Sequence, residues 1–223
     1  MGFFSSRAAK IALALVGVGV LAFGYFHRAA AGVKELDLAL PLVADARSWH
    51  LIHTAGAVKV EEDVVCPFDY DATTTIGQLS TREVQVNHMY YDRNSAGQWN
   101  SRAGGEFGHC SGGPQINHMG LALNLRTIRE RGVISRGGTK DVGGRTCRDW
   151  NLGAPGISQT VATLCIDEEN HYPLELASAQ ETYQFSNWNG VAAIEPPQID
   201  TVATPSTASD QVSDASTIQP APQ

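Results

Sequence analysis

The sequence has no Cys-x-x-Cys pair, and none of its cysteines has a histidine three or four residues away. It therefore offers neither a zinc-finger nor a thioredoxin-like motif. Gly-x-Ser-x-Gly is missing too: Ser111 sits in Cys-Ser-Gly-Gly, which is not a nucleophile elbow. The pairs Gly137-Gly138 and Gly143-Gly144 lack a Gly-Lys-Ser/Thr ending and introduce no helix, which removes a phosphate loop. Basic charge is scarce, with 16 Lys and Arg against 23 Asp and Glu and a net charge of −7. Arg7, Lys10 and Arg28 all precede residue 32 and no acid does, so the remainder is more acidic still. Such a surface repels phosphate backbones, and no nucleic-acid partner is expected.

Seven histidines are present. His50 and His53 lie three apart in a predicted strand, so they point to opposite faces and cannot chelate together. His88 falls on the apolar face of its predicted strand and reads as a core or rim histidine. His109, Cys110 and His118 form the one polar grouping that could carry hydrolytic or metal chemistry. Gly108, Gly112 and Gly113 make it a loop, however, and Cys110 has a better use in a disulfide. The run Asp167-Glu168-Glu169 reads as a solvated turn. No catalytic residue, cofactor or metal is expected, and a hydrolytic enzyme remains only as an alternative.

Arg7 and Lys10 precede the uncharged apolar run Ile11–Phe26. A basic flank before such a run is what a translocon engages. The run is just under the roughly 17–25 residues of a spanning helix and just over the roughly 7–15 of a signal core. Ala29-Ala30-Ala31 supplies small residues for signal peptidase. Residues 1–31 are thus a signal peptide cleaved after Ala31 or a single-span anchor. No cysteine lies near the run, which excludes lipoprotein processing. Either fate delivers the chain outside the cytoplasm, to a periplasm or the exterior. There an even number of cysteines favours disulfides. Cys66, Cys110, Cys147 and Cys165 allow three pairings. Cys147–Cys165 with Cys66–Cys110 is preferred, because the first pair brackets a plausible hairpin.

From Gly32 to about Ala46, Val33, Leu36, Leu40 and Val43 recur at helical spacing, so a short amphipathic helix is expected, bent or interrupted at Pro41. Period-two alternation then predicts strands through Trp49–Thr54, Val58–Val65 and a single stretch Arg82–Tyr91. Gln115–Arg131 turns helical, with Ile116, Met119, Leu123 and Ile128 on one face and Gly132 as the stop. Strands follow at Arg145–Trp150, Gln159–Ile166, Tyr172–Leu176, Thr182–Ser186 and Val191–Ile194, as an antiparallel meander. From Pro196 the composition turns to Pro, Ser, Thr, Ala and Gln, expected to be a disordered tail over 198–223.

The segments Gly144-Arg-Thr-Cys-Arg-Asp-Trp150, Thr163-Leu-Cys-Ile-Asp-Glu-Glu169, His171-Tyr-Pro-Leu-Glu175, Thr182-Tyr-Gln-Phe-Ser-Asn-Trp-Asn189 and Ile194-Glu-Pro-Pro197 resemble the end of the half-barrel proteins related to the LolA and LppX lipoprotein carriers. The specific similarity spans roughly 140–197; upstream, the order of elements agrees. The resemblance implies an α+β domain over 33–197, a curved antiparallel β-sheet forming an open half-barrel meander with covering helices. It also implies a concave apolar cavity that holds a lipid or a lipoprotein acyl chain without covalent chemistry. On that basis Trp49, Leu51, Val84, Val86, Tyr183 and Phe185, with Met119 and Leu123 from the covering helix, would line the ligand; otherwise they pack as a dry core. The competing expectation is a membrane-tethered accessory subunit of an envelope complex.

Overall fold

In the computed structural model, the described residues are 31–94, 97–104, 110, 112–116, 119–153 and 160–199. The apolar run, the tail beyond 199, the 154–158 turn, Ser111, His109 and His118 lie outside them.

The first helix, α1, occupies 31–44. Leu36, Ala39 and Val43 recur at three- and four-residue spacing and are completely buried. Pro41 does not interrupt the helix. It sits exposed in the final turn, and its carbonyl still accepts the Asp45 N–H at 2.9 Å. Gly32 is required by contact: a Cβ there would stand 2.5 Å from Ile134 Cγ2.

Thirteen strands follow: β1 Ser48–Ala55, β2 Val58–Val65, β3 Asp69–Ile76, β4 Leu79–Val86, β5 Met89–Arg93, β6 Trp99–Ala103, the short pair β7 Gln115–Ile116 and β8 Met119–Gly120, then β9 Val133–Val142, β10 Arg145–Gly153, β11 Thr160–Asp167, β12 Pro173–Ser178 and β13 Glu181–Ser186. Helix α2, Leu121–Arg131, separates β8 from β9. Eleven strands make one sheet in the order β6-β5-β4-β3-β2-β1-β13-β12-β11-β10-β9. Two meanders, β1–β6 and β9–β13, are joined where β1 pairs antiparallel with β13. The sheet does not close, since β6 and β9 are both edges. The domain is an α+β open half-barrel.

Register assigns the faces. Leu51 lies opposite Phe185 and Glu62, Trp49 opposite Val64, Trp150 opposite Leu164, and Ile134 opposite Leu152. Apart from the carboxylate of Glu62, these side chains build the concave core under α1 and α2, with Leu121 and Leu125 from above. On the convex side Cys147, Cys165 and Leu174 form a smaller cluster. Both expected disulfides are present, Cys66–Cys110 and Cys147–Cys165, with Cα separations of 5.6 and 5.5 Å.

Further sequence expectations are corrected. Arg82–Tyr91 is not one strand: Asn87 and His88 take φ of 53° and 61° and turn β4 into β5, so Val86 faces Met89 across a two-residue hairpin. His88 is therefore an exposed turn residue. Gln115–Ile116 and Met119–Gly120 form the β7–β8 pair, and the helix begins only at Leu121. It buries Leu121, Ala122 and Leu125, and this phase leaves Met119 and Leu123 outside, 45% and 49% exposed. Val191–Ile194 joins no ladder; after Asn187 and Asn189 take left-handed φ, the Val191 N–H is held by Ser48 Oγ at 3.2 Å. Asp167 is no solvated turn residue but is 1% exposed, accepting the N–H groups of Glu169 and Asn170 while the Arg145 guanidinium stands 2.8 Å away.

Candidate functional site: an apolar cavity beneath the second helix

Between α2 and the ends of β10–β13 lies a cavity of about 360 Å³. Its floor is concave-face side chains: Leu152 from β10, Ala162 from β11, Leu176 from β12 and Tyr183 from β13. Strand alternation selects them, because Ala162 lies opposite Leu152 and Ser178, and Leu176 opposite Tyr183. The roof is one face of α2, with Asn124, Thr127, Ile128 and Arg131 at i, i+3, i+4 and i+7. Ile116 of β7 closes part of the wall. Exposed Thr127, Arg131 and Val161 mark the mouth. The space exists because α2 covers the core around Leu121 and Leu125 but does not reach the small residues Gly153 and Ala162.

The lining is mainly apolar, with a polar group at β13. The Tyr183 hydroxyl donates to Glu181 Oε2 at 2.9 Å, and His53 Nε2 lies 3.2 Å from the same oxygen. The His53 and Tyr183 rings stack, centroids 4.2 Å apart and nearly parallel. Burial, and then the Glu181 carboxylate, push the Tyr183 hydroxyl above its usual range, so it stays a neutral donor. These groups satisfy one another, and none is placed as a nucleophile with a base and an orienting partner. Arg131 makes no ion pair among the described residues.

Of the eight candidate lining residues, Tyr183 lines this cavity. Trp49, Leu51 and Phe185 are sealed in the main core at 1%, 5% and 2% exposure. Val84 and Val86 are buried but belong to the convex face, since Gln85 is the residue opposite the core side chain Tyr70. Met119 and Leu123 lie outside. Periodicity places Ile128 on the apolar face of the helix, whereas Leu152, Ala162 and Leu176 escaped sequence reasoning. Their signal was present as the inward alternate positions of the last meander, but alternation cannot show where a covering helix stops short. Among the described residues no group of three or more His, Cys, Asp or Glu is arranged to hold a metal ion. Nor, among them, is any helix long and apolar enough to cross a membrane.

No protein-family model matches the sequence, and no curated protein matches it. Solved structures do. LprF from Mycobacterium bovis superposes with a TM-score of 0.57 at 14% identity, over 75% of this chain and 97% of LprF. The lipoprotein LppX from Mycobacterium tuberculosis gives a TM-score of 0.49 at 15% identity, over 77% of this chain and 99% of LppX. At such identity the likeness to LprF concerns architecture alone. The chain has an open half-barrel fold like that of LprF.

Proposed function

We propose that the protein is an extracytoplasmic, non-enzymatic binding protein that holds one acyl chain of a lipid or lipoprotein in the cavity beneath α2. The observation that carries this reading is an apolar space on the concave face beneath α2, open at a mouth and lined by residues of six elements. A void of this kind loses packing contacts, and an apolar guest restores them. At about 360 Å³ the cavity is near the lower limit of roughly 300–1,000 Å³ for ligand sites, which suits one chain better than several. Each methylene buried contributes about 0.8 kcal/mol, so affinity should rise steeply with chain length until the cavity is full. Residues 1–31 act as signal peptide or anchor, 33–197 as the binding domain, and 198–223 as a tail.

The test is native mass spectrometry of gently purified protein, combined with displacement of an apolar dye by fatty acids of increasing length. Ala162→Phe, which fills the cavity from β11, should weaken dye and fatty-acid binding at least tenfold while leaving the circular dichroism spectrum unchanged. A native chain that carries no lipid and binds no dye sinks the proposal.

The accessory-subunit alternative draws on a different observation. The β3–β4 hairpin tip presents Ile76 and Leu79 at 54% and 76% exposure, and an apolar tip of that kind suits a protein contact. N-terminal sequencing of the native chain separates the readings, because an N-terminus at Gly32 removes the tether that the accessory role requires.

A further inference from the structure

The outer side of the helical layer differs in charge from the rest of this acidic chain. Lys34 of α1, Arg126 and Arg131 of α2 and Arg136 of β9 are all exposed, and none makes an ion pair among the described residues. The acids nearby are mostly engaged. Asp37 pairs with Arg129, Glu35 with His171 and Glu168 with Arg148, leaving Glu130. Lys34 and Arg136 share one cleft, of about 720 Å³, with Ala31, Leu38 and Arg148. Exposed apolar side chains sit among these cations: Leu38, Leu123 and Val133 at 40%, 49% and 37%. On the convex face the balance reverses, and Glu61, Asp63 and Asp71 crowd around His50 and Arg82.

The chain's own path adds a constraint. α1 runs antiparallel to α2, since Gly113, just ahead of β7, approaches Val43 whereas Arg129 reaches Asp37. The C-terminal end of α2, the start of β9 and residue 31 therefore lie at one end of the layer. Only His27 to Ala30 separate residue 31 from the apolar run that ends at Phe26. The five residue steps from Phe26 to residue 31 reach at most about 18 Å. An apolar run seated in a bilayer would hold this basic end within roughly one to two Debye lengths of the headgroups.

We propose that the outer face of the α1–α2 layer docks on an anionic lipid bilayer, with Lys34, Arg126 and Arg136 on the headgroups and the Leu38, Leu123 and Val133 side chains against the interface. Basic residues near such a surface attract it by about 1 kcal/mol each, and exposed leucines add apolar contact. Docking in this orientation turns the mouth of the cavity, where Arg131 and Thr127 stand, toward the membrane that would supply its acyl chain. The inference takes its purpose from the carrier reading, but the surface itself exists independently of any ligand.

The experiment is hydrogen exchange of the full chain on nanodiscs of phosphatidylcholine alone and of phosphatidylcholine with phosphatidylglycerol. Amides of 121–136 should exchange at least tenfold more slowly on the anionic discs. High salt, or the triple variant K34Q/R126Q/R136Q, should abolish that difference. The triple variant should still bind the apolar dye in solution as the native chain does. Equal exchange on both compositions, or protection of β2–β4 in place of 121–136, overturns the docking. Loss of dye binding by the native chain, with the anionic footprint intact, overturns the carrier reading and leaves the docking standing.

Discussion

Glu62 faces the concave core opposite Leu51 and Ala72, with no cation among the described residues to pair with it. Burial, and secondarily the Asp63 carboxylate, raise its pKa from 4.5 to about 7. The sign of the pH effect follows. Between about 4.5 and 7 the unfolded chain releases this proton while the folded chain keeps it. Glu62 therefore makes stability fall as pH rises through that window, by up to about 3 kcal/mol, with no further change above it. Urea unfolding from pH 4.5 to 7.5 should show that slope, and Glu62→Gln should flatten it; an unchanged slope in the variant would assign it elsewhere. Gly32 sets a second residue-scale expectation. An alanine would press on Ile134 Cγ2 at 2.5 Å and on the Trp150 ring at 3.2 Å, and should cost about 1–3 kcal/mol by overpacking, read from the shift in the urea midpoint.

At the scale of elements, the last meander was legible because β10–β13 are short apolar-rich runs that end at real turns, although bulges break their alternation. The disulfides were legible with it, since Cys147 and Cys165 occupy neighbouring strands on one face. β9 was not, because Gly137-Gly138 reads as loop; Gly137 serves contact, since a Cβ there would meet Asp149 Cβ at 2.9 Å, while Gly138 faces open space. The β4–β5 hairpin was hidden for a subtler reason. A two-residue turn preserves the period of two, so Val84, Val86 and Tyr90 look like one face although the turn sends Tyr90 to the other. Helix α2 was located but rotated: periodicity through 116–131 can be drawn from Met119 and Leu123 or from Leu121 and Leu125, and tertiary burial chose the second. Leu125 is completely buried, so Leu125→Ala should cost about 2–5 kcal/mol, whereas Leu123→Ala should change the urea midpoint little. The crosslinks should likewise differ. Replacing the pair 18 residues apart by alanine should cost about 3 kcal/mol, and the pair 44 apart somewhat more, because loop-closure entropy grows with length.

For the molecule as a whole, the two meanders carry unequal loads. The C-terminal one, with β1, packs beneath both helices and supplies the floor of the cavity, and it has a second buried cluster behind it. The N-terminal one ends in β5 and β6, where no residue is fully buried. A sheet well covered at one end and thinly covered at β5 and β6 should open locally from the thin end. Native-state hydrogen exchange should therefore show β5 and β6 opening well below the global unfolding free energy, with β1 and β10–β13 opening near it. A ligand in the cavity sharpens the contrast. Fatty acid at 100 times its dissociation constant stabilises the bound state by about 2.7 kcal/mol, and only openings that release ligand can register that gain. Protection should increase in β10–β13 and α2 and stay constant in β5 and β6, since no lining residue comes from those strands. Equal gains in both arms would mean that the half-barrel opens as one unit, so that the position of the cavity within the stiffer arm has no bearing on how it retains a guest.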